Sequence, residues 1–302
     1  MKDFIAADQP SFRDLMYFIT AGGPEESEYR DMTNTWNELV VQQQPTGHAH
    51  RLVDLFGPDF LDQTVQGHSV RRPHGYSGDY QIIDFIYQQT IIGGVRFGKW
   101  DKYLHTTPAT HAVRNRKHYF IELVKSRLAN SSGPLRILNI ASGPCRDVFE
   151  LFQQTSPSYV RMHCVDLDAS AIQYGKRLLG QCSSTVEFTC ANIFKFNTNE
   201  KYDLVWSAGL FDYFNDADFV KLLSKIYSWS STSGEVVVGN FSTDNPTRAY
   251  MEKGNDWFLF HRTQAQLISL GNKVKSENDE VELNEESLGI NLFLHLKRNT
   301  PQ

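Results

Sequence analysis

From Leu135 onward the chain alternates short apolar, β-branched runs with stretches of helical period. The runs are Leu135–Ile140 (LRILNI), Val160–Asp166 (VRMHCVD), residues 185–190 (TVEFTC), Tyr202–Ser207 (YDLVWS), residues 234–240 (GEVVVGN), residues 273–283 (KVKSENDEVEL) and residues 290–297 (INLFLHLK). Strands that alternate with helices read as βαβ units and hence as a mostly parallel sheet. The last two runs are joined only by a short link around residues 284–287, so an antiparallel hairpin is expected at the sheet edge. Residues 1–130 lack this alternation. Residues 11–21, 28–42, 51–64, 78–87 and 110–128 instead repeat their apolar positions at helical spacing. Ser131-Ser-Gly-Pro134 breaks the chain before the first strand. The expected organisation is a helical region over residues 1–130, capping the site and serving the substrate, followed by an α/β domain over residues 131–302.

Composition narrows the classes. The 302 residues are 40% hydrophobic and 22% charged with a formal net charge of −5, which is ordinary for a globular protein and disfavours a nucleic-acid partner. Aromatic residues make up 13%, which suits a chain that must wall a pocket as well as fill a core. Cys145, Cys164, Cys182 and Cys190 form no C-x-x-C pair and lie at no zinc-ligand spacing, so reduced thiols and no metal are expected. The opening MKDFIAADQP has no basic n-region and no apolar h-region, and no apolar run approaches the roughly 20 residues of a membrane span. A cytoplasmic protein with no stable membrane insertion is the expectation.

The chemistry-bearing stretch is the turn after the first strand, Leu138-Asn139-Ile140-Ala141-Ser142-Gly143-Pro144-Cys145-Arg146-Asp147, which leads into a helix at Arg146–Gln154. A glycine there allows a tight bend and a close ligand approach to the backbone. Roughly 20 residues further on, the second strand ends in Asp166-Leu167-Asp168, and an acid at that place can accept from ribose hydroxyls. A dinucleotide site wants G-x-G-x-x-G. Here Cys145 and Val148 stand where the later glycines would, and Pro144 removes an N–H. The turn therefore favours a cofactor without a phosphate. Ligands on such sheets lie beyond the carboxyl ends of the strands, so Ser207–Tyr213 are expected to line the cleft.

These residues resemble motif I of class I S-adenosylmethionine-dependent methyltransferases, a family with a Rossmann-like α/β sheet. The resemblance implies Gly143 as the turn glycine, with Asn139 and Ala141 beside it. It implies Asp166 as the ribose-binding acid with Leu167 next to it, and Asn192 and Ile193, after the third strand, near the adenine. Ser207 follows from the fourth strand. Arg116, on the helix before the domain, is a candidate partner for the methionine carboxylate. A turn or cap role is the competing reading for Asn192, and a helix cap for Asp166. The Asp/Asn-Pro-Pro-Tyr signature of base and glutamine N-methylation is absent after the fourth strand.

Two polar, aromatic stretches lie elsewhere: Arg72-Pro-His-Gly-Tyr76-Ser-Gly-Asp79-Tyr80, and the segment from Gly239 through Asn-Pro-Thr-Arg248 to Arg262. Gly-Tyr-x-Gly-Asp-Tyr, Gly-Leu-Phe-Asp-Tyr and Asn-Pro-x-Arg…Asp-Trp…Arg are similar to bacterial methyltransferases linked to 3-hydroxy fatty acid methyl ester quorum signals. The likeness spans roughly residues 70–297. It implies carboxyl O-methylation of a hydroxy fatty acid. Tyr76 and Asp79 are candidates for a loop closing over the cofactor, with a turn and helix cap as the alternative. Arg248, His261 and Arg262 are candidate anchors for an acceptor carboxylate, with Tyr213 and Tyr250 as partners; ion pairing at the surface is the alternative for each arginine. A carboxylate needs no base, whereas N- or C-methylation of a natural-product intermediate would need one, from His261, Tyr213 or Tyr76. A non-catalytic nucleoside-binding protein on the same fold is the third reading. The expected partner is a small or lipid-like molecule, with a homodimer among the assemblies open to the chain.

Overall fold

The computed structural model of the protein describes residues 9–42 and 52–299. The first eight residues, on which part of the leader reading rests, lie outside them. The chain divides into two units: residues 1–111 with 245–258, and residues 112–244 with 259–302.

The first unit is helical: α1 Pro10–Thr20, α2 Tyr29–Gln42, α3 Pro58–Gln63, α4 Val65–Arg71, α5 Tyr80–Gln88 and α6 Gly94–Thr106. The helix expected over 51–64 is interrupted. A short 3₁₀ turn at Leu52–Phe56 ends at Gly57, whose φ of 77° only glycine adopts readily, and Pro58 then opens α3. Two helices, α4 and α6, escape a periodicity reading. α4 buries Gln66, Gly67 and Ser69 beside Val65 and Val70, so it shows no apolar stripe. α6 carries Gly94 and Gly98, poor helix formers. Aromatic rings fill this unit: Phe56 on Phe60 at 4.4 Å, Tyr103 on Tyr250 at 5.1 Å and Trp36 on Tyr250 at 5.3 Å. Tyr250 comes from the 245–258 segment, which explains why that stretch groups with the helices.

The second unit contains most of α7 (Pro108–Ala129) and, in order, β1 Leu135–Ile140, α8 Arg146–Gln154, β2 Val160–Asp166, α9 Ala169–Leu179, β3 Val186–Cys190, β4 Tyr202–Ser207, α10 Asp216–Tyr227, β5 Ser230–Phe241, α11 Gln264–Asn272, β6 Glu280–Glu285 and β7 Asn291–Lys297. The sheet order is β3-β2-β1-β4-β5-β7-β6. β1 to β5 are parallel, and β7 runs antiparallel to both β5 and β6. This is the expected mostly parallel sheet with an antiparallel edge hairpin.

Period-two alternation sends successive residues to opposite faces. Leu138, Ile140, Val205, Val236 and Val238 join α10 and α11 in one core. Ile137, Leu204, Trp206 and Val237 join α7 and α8 in the other. With both faces covered, the strands read as continuous apolar runs. Phe120, Ile121 and Val124 of α7 belong to that second core, which moves the boundary from the expected 130/131 to 111/112. β6 starts at Glu280 and not at residue 273, because residues 273–279 offer no apolar alternation; Lys273 caps α11. No helix among the described residues is long and apolar enough to cross a membrane.

Candidate functional site

The turn after β1 places three left-handed residues at alternate positions: Ala141 (φ 53°), Gly143 (φ 52°) and Cys145 (φ 55°). That region costs a non-glycine residue about 1–2 kcal/mol, so Ala141 and Cys145 hold local strain at this turn. A Cβ at Gly143 would meet nothing within 4 Å, so the backbone there is open to a ligand. Asp166, buried at the end of β2, accepts the Gly143 N–H at 2.8 Å through Oδ2 and the Asp168 N–H at 2.9 Å through Oδ1. Burial pushes its carboxyl above the usual range, and these backbone bonds pull the other way. Each oxygen keeps a second lone pair, which is what acceptance from a sugar hydroxyl requires. The helix-cap role falls to Asp168, whose Oδ1 accepts from Ser170 N at 2.7 Å. Leu167, between the two acids, is 68% exposed, an unusual state for leucine at a strand end.

Asn192 is exposed and its Oδ1 accepts from Phe194 N at 2.9 Å, so the turn role is realised and the amide nitrogen is what remains for a ligand. Ile193 beside it is buried. Ser207 donates to Ile140 O at 3.1 Å, tying β4 to β1 where both strands end. Asn139 is buried with Nδ2 3.5 Å from Asp147 Oδ2.

Arg116, on α7, is 7% exposed. Its Nε is buried with no hydrogen-bond partner, and among the described residues no carboxylate pairs with it. Its field reaches two buried acids that sequence reasoning did not single out, Asp147 in the first turn of α8 and Asp212 after β4. Burial pushes both carboxyls up to about 6, with Arg116 pulling the other way. The only sequence signal was their place next to the turn and the β4 exit, where an acid also reads as an ordinary helix-start charge. Arg116 Nη1 stands 2.5 Å from where a Cβ on Gly209 would lie. Gly209→Ala would thus displace the guanidinium and little else. The expected result is about tenfold weaker S-adenosylhomocysteine binding by calorimetry, with a melting temperature close to wild type.

One expected site residue is corrected. All five donors of Arg262 are engaged: Nε and Nη2 with Asp216 Oδ1 at 3.0 and 2.9 Å, Nη2 with Phe214 O at 2.6 Å, and Nη1 with Asn240 Oδ1 at 2.7 Å and Phe211 O at 3.5 Å. Buried and saturated, it staples the β4 and β5 exits and has no donor left for an acceptor carboxylate. Asp79 is fully buried and caps α5, so the cap reading is realised. Arg248 is exposed and pairs with Glu252 at 2.6 Å. His261 sets Nδ1 3.2 Å from Leu259 O and packs edge-on at 6.0 Å from Phe241. Tyr213 ends the turn Phe211–Tyr213, half-buried, and Tyr76 is half-buried in the loop before α5. Tyr76, Asp79 and Arg248 belong to the helical unit. The residues expected at the cofactor from Arg116 to Ser207, with Tyr213, His261 and Arg262, belong to the sheet unit.

Residues 137–234 match the family model of a methyltransferase domain. No curated protein matches the sequence. Among solved structures, a protein from Bordetella parapertussis described as a possible exported protein is 14% identical over 99% of this chain and 100% of its own, with a TM-score of 0.68. The plantazolicin methyltransferase BpumL, solved with a triazolic desmethylPZN analogue and SAH, is 12% identical over 80% of this chain and 97% of its own, at 0.52. Magnesium protoporphyrin IX methyltransferase (ChlM) from Synechocystis, with bound SAH, is 11% identical over 73% of this chain and 100% of its own, at 0.50. At these identities the likeness is one of fold.

The family match over residues 137–234, with the strand order and the glycine turn, defines the sheet unit as a methyltransferase domain. The protein is a methyltransferase by that domain.

Proposed function

We propose that the protein transfers the methyl group of S-adenosylmethionine to a small or lipid-like acceptor, with the carboxyl of a hydroxy fatty acid as the first acceptor to test. Arg116 is the observation that carries the site: a buried cation without a hydrogen-bonded partner among the described residues, whose charge reaches two buried acids, is the complement of an amino-acid zwitterion. Arg116 would take the methionine carboxylate and Asp147 the ammonium. Asp166 would take the ribose hydroxyls over the open Gly143 turn, with Leu167 and Ile193 against the adenine and Asn192 at its edge. When bound, the cofactor supplies an already activated sulfonium methyl, so the chain's own task is to orient the acceptor in line and exclude water.

The substrate class rests on the likeness to enzymes linked to hydroxy-fatty-acid methyl esters. It also draws on the naming of BpumL and ChlM as methyltransferases of plantazolicin and magnesium protoporphyrin IX. Acceptor selectivity is assigned to the helical unit, and a cytoplasmic setting accords with four free cysteines. The test is incubation with labelled S-adenosylmethionine and hydroxy fatty acids of graded chain length. A methyl ester is the expected product, and its absence at every length removes the fatty-acid carboxyl from the reading.

A further inference from the structure

A pocket opens on the antiparallel edge of the sheet, away from the Gly143 turn. Its volume is about 520 Å³, within the range of small-ligand sites. Tyr119 of α7, Gln264 of α11, and Leu283, Asn284 and Glu285 of β6 line it. All five belong to the sheet unit. β6 is the fourth strand over from β1, roughly 19 Å across the sheet, so the pocket is separate from the cofactor turn.

The lining decides what fits. His295 Nδ1 lies 2.7 Å from Glu235 Oε1 and donates to that carboxylate. In the neutral ring Nε2 then holds the lone pair, and Tyr119 Oη, 2.7 Å away, donates its proton to it. Burial pushes the Tyr119 hydroxyl up to about 12, so it stays protonated at neutral pH and its oxygen keeps acceptor capacity. Asn284 turns its amide nitrogen the same way, 3.4 Å from His295 Nε2. Gln264 Nε2 donates to Glu285 Oε2 at 3.1 Å. With these nitrogens directed at protein atoms, the lining is left rich in acceptors: Tyr119 Oη, the two amide oxygens and the other oxygen of Glu285. Glu285 is exposed and is the one charged residue of the lining. The cation on the neighbouring strand, Lys297, is paired with Glu282 at 2.5 Å. Leu283 adds an apolar wall.

We propose that this pocket binds an aliphatic amine, its ammonium held by Glu285 and Tyr119 and its methylenes laid along Leu283. An ammonium brings three N–H donors and a positive charge, which match the acceptors and the carboxylate. A carboxylate or phosphate would bring further acceptors and meet repulsion from Glu285.

The test is calorimetric titration of the full-length protein with diaminobutane at physiological salt, with butanediol and butanoate as its uncharged and anionic counterparts. Diaminobutane is expected to bind with a Kd of about 1 mM or tighter, and the two counterparts are not. Glu285→Gln should weaken binding about tenfold with the melting temperature unchanged. Gln264→Lys, which tethers an ammonium beside Glu285, should abolish it. The side-chain amide NMR signals of Asn284 and Gln264 should shift during the titration. Glu277→Gln removes an exposed carboxylate just before β6 that does not line the pocket, and should leave the affinity as it is. Equal weakening by Glu277→Gln would mean diffuse attraction to an acidic surface and overturns the site. Binding undiminished in both pocket variants, equal binding of butanediol, or no diaminobutane binding overturns it as well. Binding is read without S-adenosylmethionine, so the result stands or falls apart from the methyl-transfer reading.

Discussion

Arg116→Met is expected to lower the affinity for S-adenosylhomocysteine by about 10- to 100-fold, the worth of a lost charge-assisted hydrogen-bond pair. The stability of the free protein should stay unchanged or rise. The two signs differ because the residue is a buried cation with no hydrogen-bonded partner among the described residues. Its desolvation is offset in the free protein only through the field of Asp147 and Asp212. Methionine keeps much of the side-chain volume and removes the charge. A residue whose main role was to hold the fold would show the reverse pattern, with melting temperature falling and affinity following it. Calorimetry and thermal melts on one preparation separate the two.

The same pair of acids sets a pH dependence. Asp147 and Asp212 have folded values of about 6 against a usual 3.8, because burial disfavours their charge. Their contribution to stability is therefore full below about pH 4 and is lost as pH rises through about 6. A ligand ammonium beside Asp147 would favour the ionised carboxylate and cancel part of that loss. The gap in melting temperature between S-adenosylhomocysteine-bound and free protein should widen from pH 4 toward pH 7. A gap that stays constant across that window would remove Asp147 from the ammonium site.

How far the sequence carried these conclusions differed from element to element. β1, β2 and β4 were legible to the residue because each is a short apolar run closed by polar turn residues, and their burial on both faces is what made the runs continuous. The strain at Ala141 and Cys145 was not legible. Neither residue type signals a left-handed conformation, and only Gly143 among the three is a residue that adopts it freely. Asp166 was named from its place at the strand end, but that the helix cap falls to Asp168 shows only in three dimensions, in which carboxylate reaches the Gly143 N–H and which reaches Ser170 N. Arg262 was misread for a related reason. Its saturation comes from Asp216, Asn240 and Phe214, residues 22 to 48 positions away, and no local pattern reports such partners.

A second large effect is expected far from the cofactor turn, where α7 is clamped to the antiparallel edge of the sheet. Tyr119 Oη lies 2.7 Å from His295 Nε2, His295 Nδ1 lies 2.7 Å from Glu235 Oε1, and Arg127 donates to the other Glu235 oxygen. Glu235 on β5 and His295 on β7 are almost entirely buried, while Tyr119 and Arg127 come from α7. Tyr119 also stacks on Phe293 at 3.9 Å. For Glu235, burial alone would raise the carboxyl, but the hydrogen bond from His295 and the charges of His295, Arg127 and Lys297 outweigh it and leave it below the usual range. Its contribution to stability is thus present above about pH 4.5, its usual unfolded value, and is lost as pH falls through the folded value. Glu235→Ala or His295→Ala strands the partner in the core and should cost about 3–5 kcal/mol. The double variant should cost clearly less than the sum of the two, because neither member of the buried Glu235–His295 pair is left without the other. Denaturant melts at neutral pH measure all three, and additive losses, or single-variant losses below about 1 kcal/mol, would show that the clamp is not a coupled unit. Because α7 also carries Arg116, the single variants should weaken S-adenosylhomocysteine binding as well, by loosening the helix that presents the guanidinium, whereas Glu235→Gln, which keeps the shape and one acceptor, should weaken it less.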